Sequence, residues 1–69
     1  MIVYYRLFDL LKRRHITVEQ LRVAIGASSA TMSKLRQNKQ VSIDIIQRIC
    51  DWLECQPGEI MENEESLDN

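Results

Sequence analysis

Between residues 27 and 43 the chain carries three basic side chains, Lys34, Arg36 and Lys39, and no acidic one. Around them stand small or hydrogen-bonding residues: Ser28, Ser29, Ala30, Thr31, Ser33, Gln37 and Asn38. Cations without counter-charges, set among hydroxyls and amides, suit a polyanion. Catalysis has no comparable constellation. His15 is the single histidine, with no cysteine near it in sequence. A loop position is therefore expected for it rather than a metal-ligand or catalytic role. Neither a Gly-rich phosphate loop nor a carboxylate pair in an evident pocket is present, so the expectation is a protein that is not an enzyme and takes no cofactor. A short helical chain also leaves little room for a small-molecule cleft.

The whole-chain charge hides the relevant asymmetry. Net charge is −1, yet residues 1–58 hold all nine Lys and Arg against five acids. Residues 59–69 hold the other five acids and no base. A basic body thus precedes an acidic end. The basic run Lys12-Arg13-Arg14 reads first as a solvated helix end and second as a phosphate patch. Cys50 and Cys55 cannot make a disulfide framework or a four-ligand metal site. On one helix they fall on different faces, and bridging them would need the helix to end between them. They read as small apolar residues in a reducing compartment. No apolar run approaches the roughly 20 residues needed to cross a bilayer, and Met1–Tyr5 is too short for a signal-peptide core. A cytoplasmic protein without membrane contact is expected.

The elements that must position the basic segment are helical. With 69 residues, two Gly and one Pro, the chain fits one domain near the lower limit of independent stability, and no long stretch alternates as a sheet would. Val3, Leu7, Leu10 and Leu11, broadened by Phe8, predict a first helix over 3–14. Thr17 and Gln20 have capping-box spacing and open a second helix with Leu21, Ala24 and Ile25 inward. Gly26 ends it in the left-handed conformation. Ser28 caps a third helix over about 29–37 with Met32 and Leu35 buried, and Asn38 is its left-handed terminator. Ser42 caps a fourth helix whose inner face is Ile43, Ile46, Ile49, Cys50 and Leu53. Ile45 and Trp52 form a second apolar edge, with Trp52 as partial core or, alternatively, a dimer surface. Pro57 begins a short fifth helix packed through Ile60 and Met61. The expected domain is 1–61, followed by an acidic, disordered tail over 62–69.

Two short helices joined by a tight glycine turn over 17–37 make a helix-turn-helix, whose second helix lies in the major groove of double-stranded DNA. Ser29, Ala30, Ser33, Lys34 and Gln37 face outward there and can approach base edges.

The chain resembles the Cro/repressor-type helix-turn-helix regulators of the Xre family in their compact stand-alone form. The resemblance covers about residues 3–61. It rests on Leu21 and Ile25 before Gly26; on Ser28, Thr31, Met32, Ser33, Lys34 and Leu35; on the turn Asn38-Lys39; on the Ile-rich fourth helix; and on Gln56-Pro57-Gly58-Glu59-Ile60-Met61. It implies an all-α, lambda-repressor-like bundle of four to five helices. It also implies sequence-specific binding of duplex DNA, usually as a homodimer, to repress or tune transcription. Base-reading positions carried over are Ser29, Ala30, Ser33, Lys34 and Gln37. Phosphate contacts carried over are Thr17, Ser28, Thr31, Asn38, Lys39 and Ser42. For Thr17 and Ser42 a physical reason accompanies the resemblance, since a helix N-terminus offers free amides to phosphate.

Two residues depart from the family pattern. Val18 stands where many members have Gln, and Arg22 where many have Ala. The stem of Arg22 is expected along the surface, with its head in water or on a phosphate. Val18, the acidic end and the apolar edge of Ile45, Trp52, Ile60 and Met61 motivate an alternative. In it the fold serves as a protein-interaction module, antitoxin-like or accessory, with weak or no DNA binding. A further expectation is that the tail screens non-specific binding to nucleic acid.

Overall fold

Each helix of this chain ends in the same backbone device. In a computed structural model that describes residues 1–65, α1 (Tyr5–Arg13), α2 (Val18–Ile25), α3 (Ser29–Arg36) and α4 (Ile43–Leu53) are each followed by a left-handed residue. These are His15 (φ 58°), Gly26 (φ 66°), Asn38 (φ 57°) and Glu54 (φ 52°). Beyond each one the next amide reaches back to the helix. Ile16 donates to the Leu11 carbonyl at 2.9 Å, Ala27 to Arg22 at 3.0 Å, Lys39 to Lys34 at 2.8 Å and Cys55 to Cys50 at 3.0 Å. Carbonyls that helix ends would leave unpaired are thereby satisfied.

The starts are as regular. The Thr17 hydroxyl accepts from the Gln20 amide at 3.0 Å, and the Gln20 side chain accepts from the Thr17 amide at 2.8 Å, completing the capping box. Ser28 Oγ accepts from Thr31 at 3.1 Å, and Ser42 Oγ from Ile45 at 3.2 Å. Each such cap contributes about 1 kcal/mol. Pro57–Glu59 form a single 3-10 turn rather than a full fifth helix, and Ile60 behind it is fully buried.

The fold is all-α in its body, a bundle of four helices containing the helix-turn-helix α2–α3. Leu7, Leu11, Leu21, Leu35, Ile49, Leu53 and Ile60 are its fully buried side chains, drawn from all four helices and from the end of the 3-10 turn. Burial of each contributes about 2 kcal/mol. No helix among the described residues is long and apolar enough to cross a membrane.

Several expectations need correction. The first helix does not begin at Val3: Ile2–Val3 form β1, which pairs antiparallel with β2 (Glu62–Asn63), Ile2 opposite Asn63 and Val3 opposite Glu62. Val3 is buried all the same, from β1, and Tyr4, just ahead of α1, joins Leu7, Leu10 and Leu11 in the core cluster. Glu62 and Asn63, expected at the head of a disordered tail, are therefore ordered in a strand. Arg6 anchors them, its Nε donating to Glu62 Oε1 at 2.8 Å. The rest of that expectation, over residues 66–69, lies outside the described residues. Ile43, expected on the inner face of α4, is 75% exposed, because it is the first residue of the helix and projects beyond the core. Ala24 is exposed on α2. Trp52 is 43% exposed rather than part of the core, while Ile45 is half-buried.

Candidate nucleic-acid interface

The turn between α2 and α3 is three residues long, Gly26-Ala27-Ser28, and it is braced from both sides. Arg22 on α2 pairs with Glu19 at 2.6 Å and donates to the Ala27 carbonyl at 3.3 Å. That hydrogen bond from Arg22 holds the Glu19 carboxyl below its ordinary pKa. Arg48, on α4, donates to the Ile25 carbonyl at 3.1 Å and pairs with Asp44 at 2.8 Å. The angle between the two helices is thus held by side chains from α2 and α4. Neither role was legible in the sequence. The head of Arg22, expected in water or on phosphate, rests on Glu19 and the turn itself.

Along the outer face of α3, Ser29, Ala30, Ser33, Lys34 and Gln37 are all exposed, as their spacing required. Gln37 Nε2 donates to Ser33 Oγ at 2.9 Å. This bond ties two of these side chains together and leaves the Gln37 amide oxygen as an acceptor. Ser28 and Thr31 share a further contact of 3.1 Å between their hydroxyls. Thr17 stands exposed at the start of α2, its hydroxyl committed to the cap. Val18, beside it, packs against the core.

Thr31, Lys34, Gln40, Val41, Ser42 and Ile45 line one open cleft of about 480 Å³ between α3 and the start of α4. Three of the expected contact residues, Thr31, Lys34 and Ser42, therefore converge. Gln40 joins them and was not singled out from the sequence; its place in the polar loop 38–40 was the available signal. The amides of Ile43 and Asp44, ahead of the first capped one, open the N-terminus of α4 near Ser42. Asn38 is placed differently. Its Oδ1 accepts from the Tyr4 amide at 2.9 Å, so the side chain also holds the α3–α4 turn against the start of α1.

The cations divide sharply. All six arginines are engaged within the protein. Arg6 and Arg13 pair with Glu62 and Asp9, and Arg14 donates to the Leu53 carbonyl. Arg22 and Arg48 brace the turn, and the Arg36 guanidinium lies 5.3 Å from the centre of the Phe8 ring. Arg36 therefore turns toward α1, although its sequence position groups it with Lys34 and Lys39. The three lysines, Lys12, Lys34 and Lys39, make no ion pair among the described residues. Lys34 and Lys39 occupy the two positions that the left-handed terminator of α3 joins through its 2.8 Å backbone bond. Side chains at these positions ordinarily meet through an apolar contact; in α1 they are Leu11 and Ile16. In α3 they are two like charges.

Over residues 6–66 the chain matches the family model of the Cro/C1-type HTH DNA-binding domain. It is 36% identical over 55 residues to an uncharacterized HTH-type transcriptional regulator, YozG, of Bacillus subtilis (strain 168). That match covers 77% of this chain and 66% of the relative, just under two thirds of its length. The fold is also similar to the crystal structure of the transcriptional regulator VanUg, with a TM-score of 0.90 at 35% identity, covering 94% of this chain and 87% of that one.

Proposed function

The chain belongs to the Cro/C1-type HTH DNA-binding domain family, a class of transcription regulators rather than of enzymes, and on that premise we propose that it binds double-stranded DNA sequence-specifically and represses transcription. In this reading α3 enters the major groove, where Ser29, Ala30, Ser33, Lys34 and Gln37 meet base edges. Thr17, Ser28, Thr31, Asn38, Lys39 and Ser42 contact the phosphates on either side. The body of the domain is residues 1–61, and two copies act as a homodimer on half-sites about one DNA turn apart.

One observation carries the reading: two lysines at the end of α3 that make no ion pair among the described residues. Like charges at these two positions repel weakly in water, and a phosphate between them reverses the sign. The remaining cation of the segment, Arg36, is occupied by Phe8, so the polyanion is served by Lys34 and Lys39.

The same fold could instead serve as a protein-interaction module, and one feature favours that second reading. Val23, 65% exposed, and Trp52 flank an apolar groove of about 530 Å³ with Ile16 and Ala24. Fluorescence anisotropy with a labelled random-sequence duplex separates the two. Salt-dependent binding that tightens on one operator after selection from a duplex library supports the regulator. No binding at 50 mM salt, or binding without preference for any selected sequence, overturns it and turns attention to the Val23–Trp52 groove.

A further inference from the structure

The terminator of α4 brings two thiols together. Cys50 lies on the last turn of the helix, Cys55 lies just beyond it, and Glu54 between them is left-handed. A continuous helix would put residues five apart on different faces; the break at Glu54 removes that obstacle. The Cys55 amide donates to the Cys50 carbonyl at 3.0 Å. With ordinary covalent geometry, such a bond keeps the two Cα atoms within ~7 Å of each other. Disulfides span roughly 4.4–6.8 Å between Cα atoms. The same two positions in α1 hold Leu11 and Ile16, and side chains so placed ordinarily touch. Both cysteines are free, half-buried and packed on the rim of the core.

We propose that Cys50 and Cys55 form a dithiol modification site that closes to an intramolecular disulfide on meeting a peroxide or a small-molecule disulfide. With hydrogen peroxide, each thiol gives up one proton and one electron. The S–S bond forms as the O–O bond breaks, and two water molecules leave. With glutathione disulfide, one cysteine thiolate attacks and expels a glutathione thiolate. The second cysteine then displaces the other glutathione from the mixed disulfide. The closed bond fixes the left-handed Glu54 and ties the last turn of α4 to the segment leading into Pro57–Glu59.

Burial and the charges facing the pair set the pace. Burial, with smaller contributions from Cys55, Asp51 and Glu59, pushes the Cys50 thiol up to about 11. Burial raises Cys55 as well, and Glu59 adds to the rise, while Cys50 and the Arg14 guanidinium oppose it. Both thiols are raised, so thiolate is scarce at neutral pH and closure quickens as pH rises. A metal is the weaker ligand for this pair. Among the described residues no group of three or more His, Cys, Asp and Glu could hold one.

The full chain, equilibrated in glutathione redox buffers, tests the proposal. Closed protein is about 2 Da lighter than reduced protein and maps to one Cys50–Cys55 cross-link. The folded chain is expected to close at a reduced-to-oxidised glutathione balance about tenfold more reducing than the same chain in urea, because a bond the fold favours also favours the fold. Equal or easier closure in urea overturns the proposal, as does a product made of disulfide-linked dimers.

Discussion

Replacing Lys34 and Lys39 together by Ala isolates the electrostatic part of DNA binding. Neither lysine has an ion-pair partner among the described residues, and the backbone bond between them survives the change. The folded state is therefore expected to be as stable as the parent in urea. Each phosphate neutralised contributes about −0.9 to the slope of log affinity against log salt, so the double variant loses ~1.8 units per protomer and ~3.6 per dimer. Between 50 and 200 mM salt the parent dimer should then lose about 150-fold more affinity than the variant, and a monomer about 12-fold more. The assay is anisotropy of a labelled random duplex at five or more salt concentrations. Arg36→Ala is the internal control. Its guanidinium is stacked 5.3 Å from the Phe8 ring, so the slope should stay at the parent value while stability falls by about 0.5–1 kcal/mol. If the lysine variant keeps the parent slope, or if Arg36→Ala loses as much slope as the pair, the division of the cations is wrong.

Other expectations concern the turns and the strand. Asn38→Gly keeps the left-handed backbone but removes the acceptor for the Tyr4 amide, and should cost about 1 kcal/mol in urea unfolding. Asn38→Ala adds the left-handed penalty and should cost roughly 1–2 kcal/mol more; equal losses would contradict the account. Gly26→Ala meets no atom closer than Arg48 Nη1 at 4.0 Å, so only backbone strain is at stake. A loss of about 1 kcal/mol is expected, and one above roughly 3 kcal/mol would show that the Arg48 brace had been displaced. Hydrogen bonds from Tyr5, then Arg6, hold Glu62 below its ordinary value of 4.5. Its folded pKa is lower than its unfolded one, so its contribution is present above the ordinary value and is lost as pH falls through the folded one. In acid titrations Glu62→Gln should flatten the loss of stability below pH 4.5, and an unchanged curve would remove Glu62 from the account.

What the sequence showed best was local. The hydroxyls of Thr17, Ser28 and Ser42 cap the helices they precede, and Gly26 and Asn38 end helices in the left-handed conformation. Each of these signals acts within a few residues, and the outward face of α3 followed from the positions of its caps. Less was legible where local chemistry is silent. His15 and Glu54 also adopt the left-handed conformation; Glu is not a type that advertises it, and His is a weaker signal than Gly or Asn. Two-residue strands have no periodicity to detect, so Val3 reads as the start of a helix. The inner face predicted for α4 ran one residue too far, at Ile43, since periodicity gives a face but not where the core stops. Arg14 and Arg48 hold the last carbonyls of α4 and α2, and Arg22 holds the turn carbonyl of Ala27. Those of Arg14 and Arg48 are made across the fold, and no spacing rule anticipates them. For the same reason Arg36 could not be told apart from its lysine neighbours.

The pairing of Ile2–Val3 with Glu62–Asn63 also bears on the order in which the molecule assembles. Nearly every other backbone bond joins residues a few places apart and can form as each helix nucleates. The strand pair closes a loop of almost the whole chain, and its few hydrogen bonds return little against that closure entropy. It is expected to latch only after the helices have docked, and to be the first part to open in the folded state. The amides of this latch should therefore exchange with solvent well before those of Leu21 or Ile49, leaving a population with the helical body intact and both ends released.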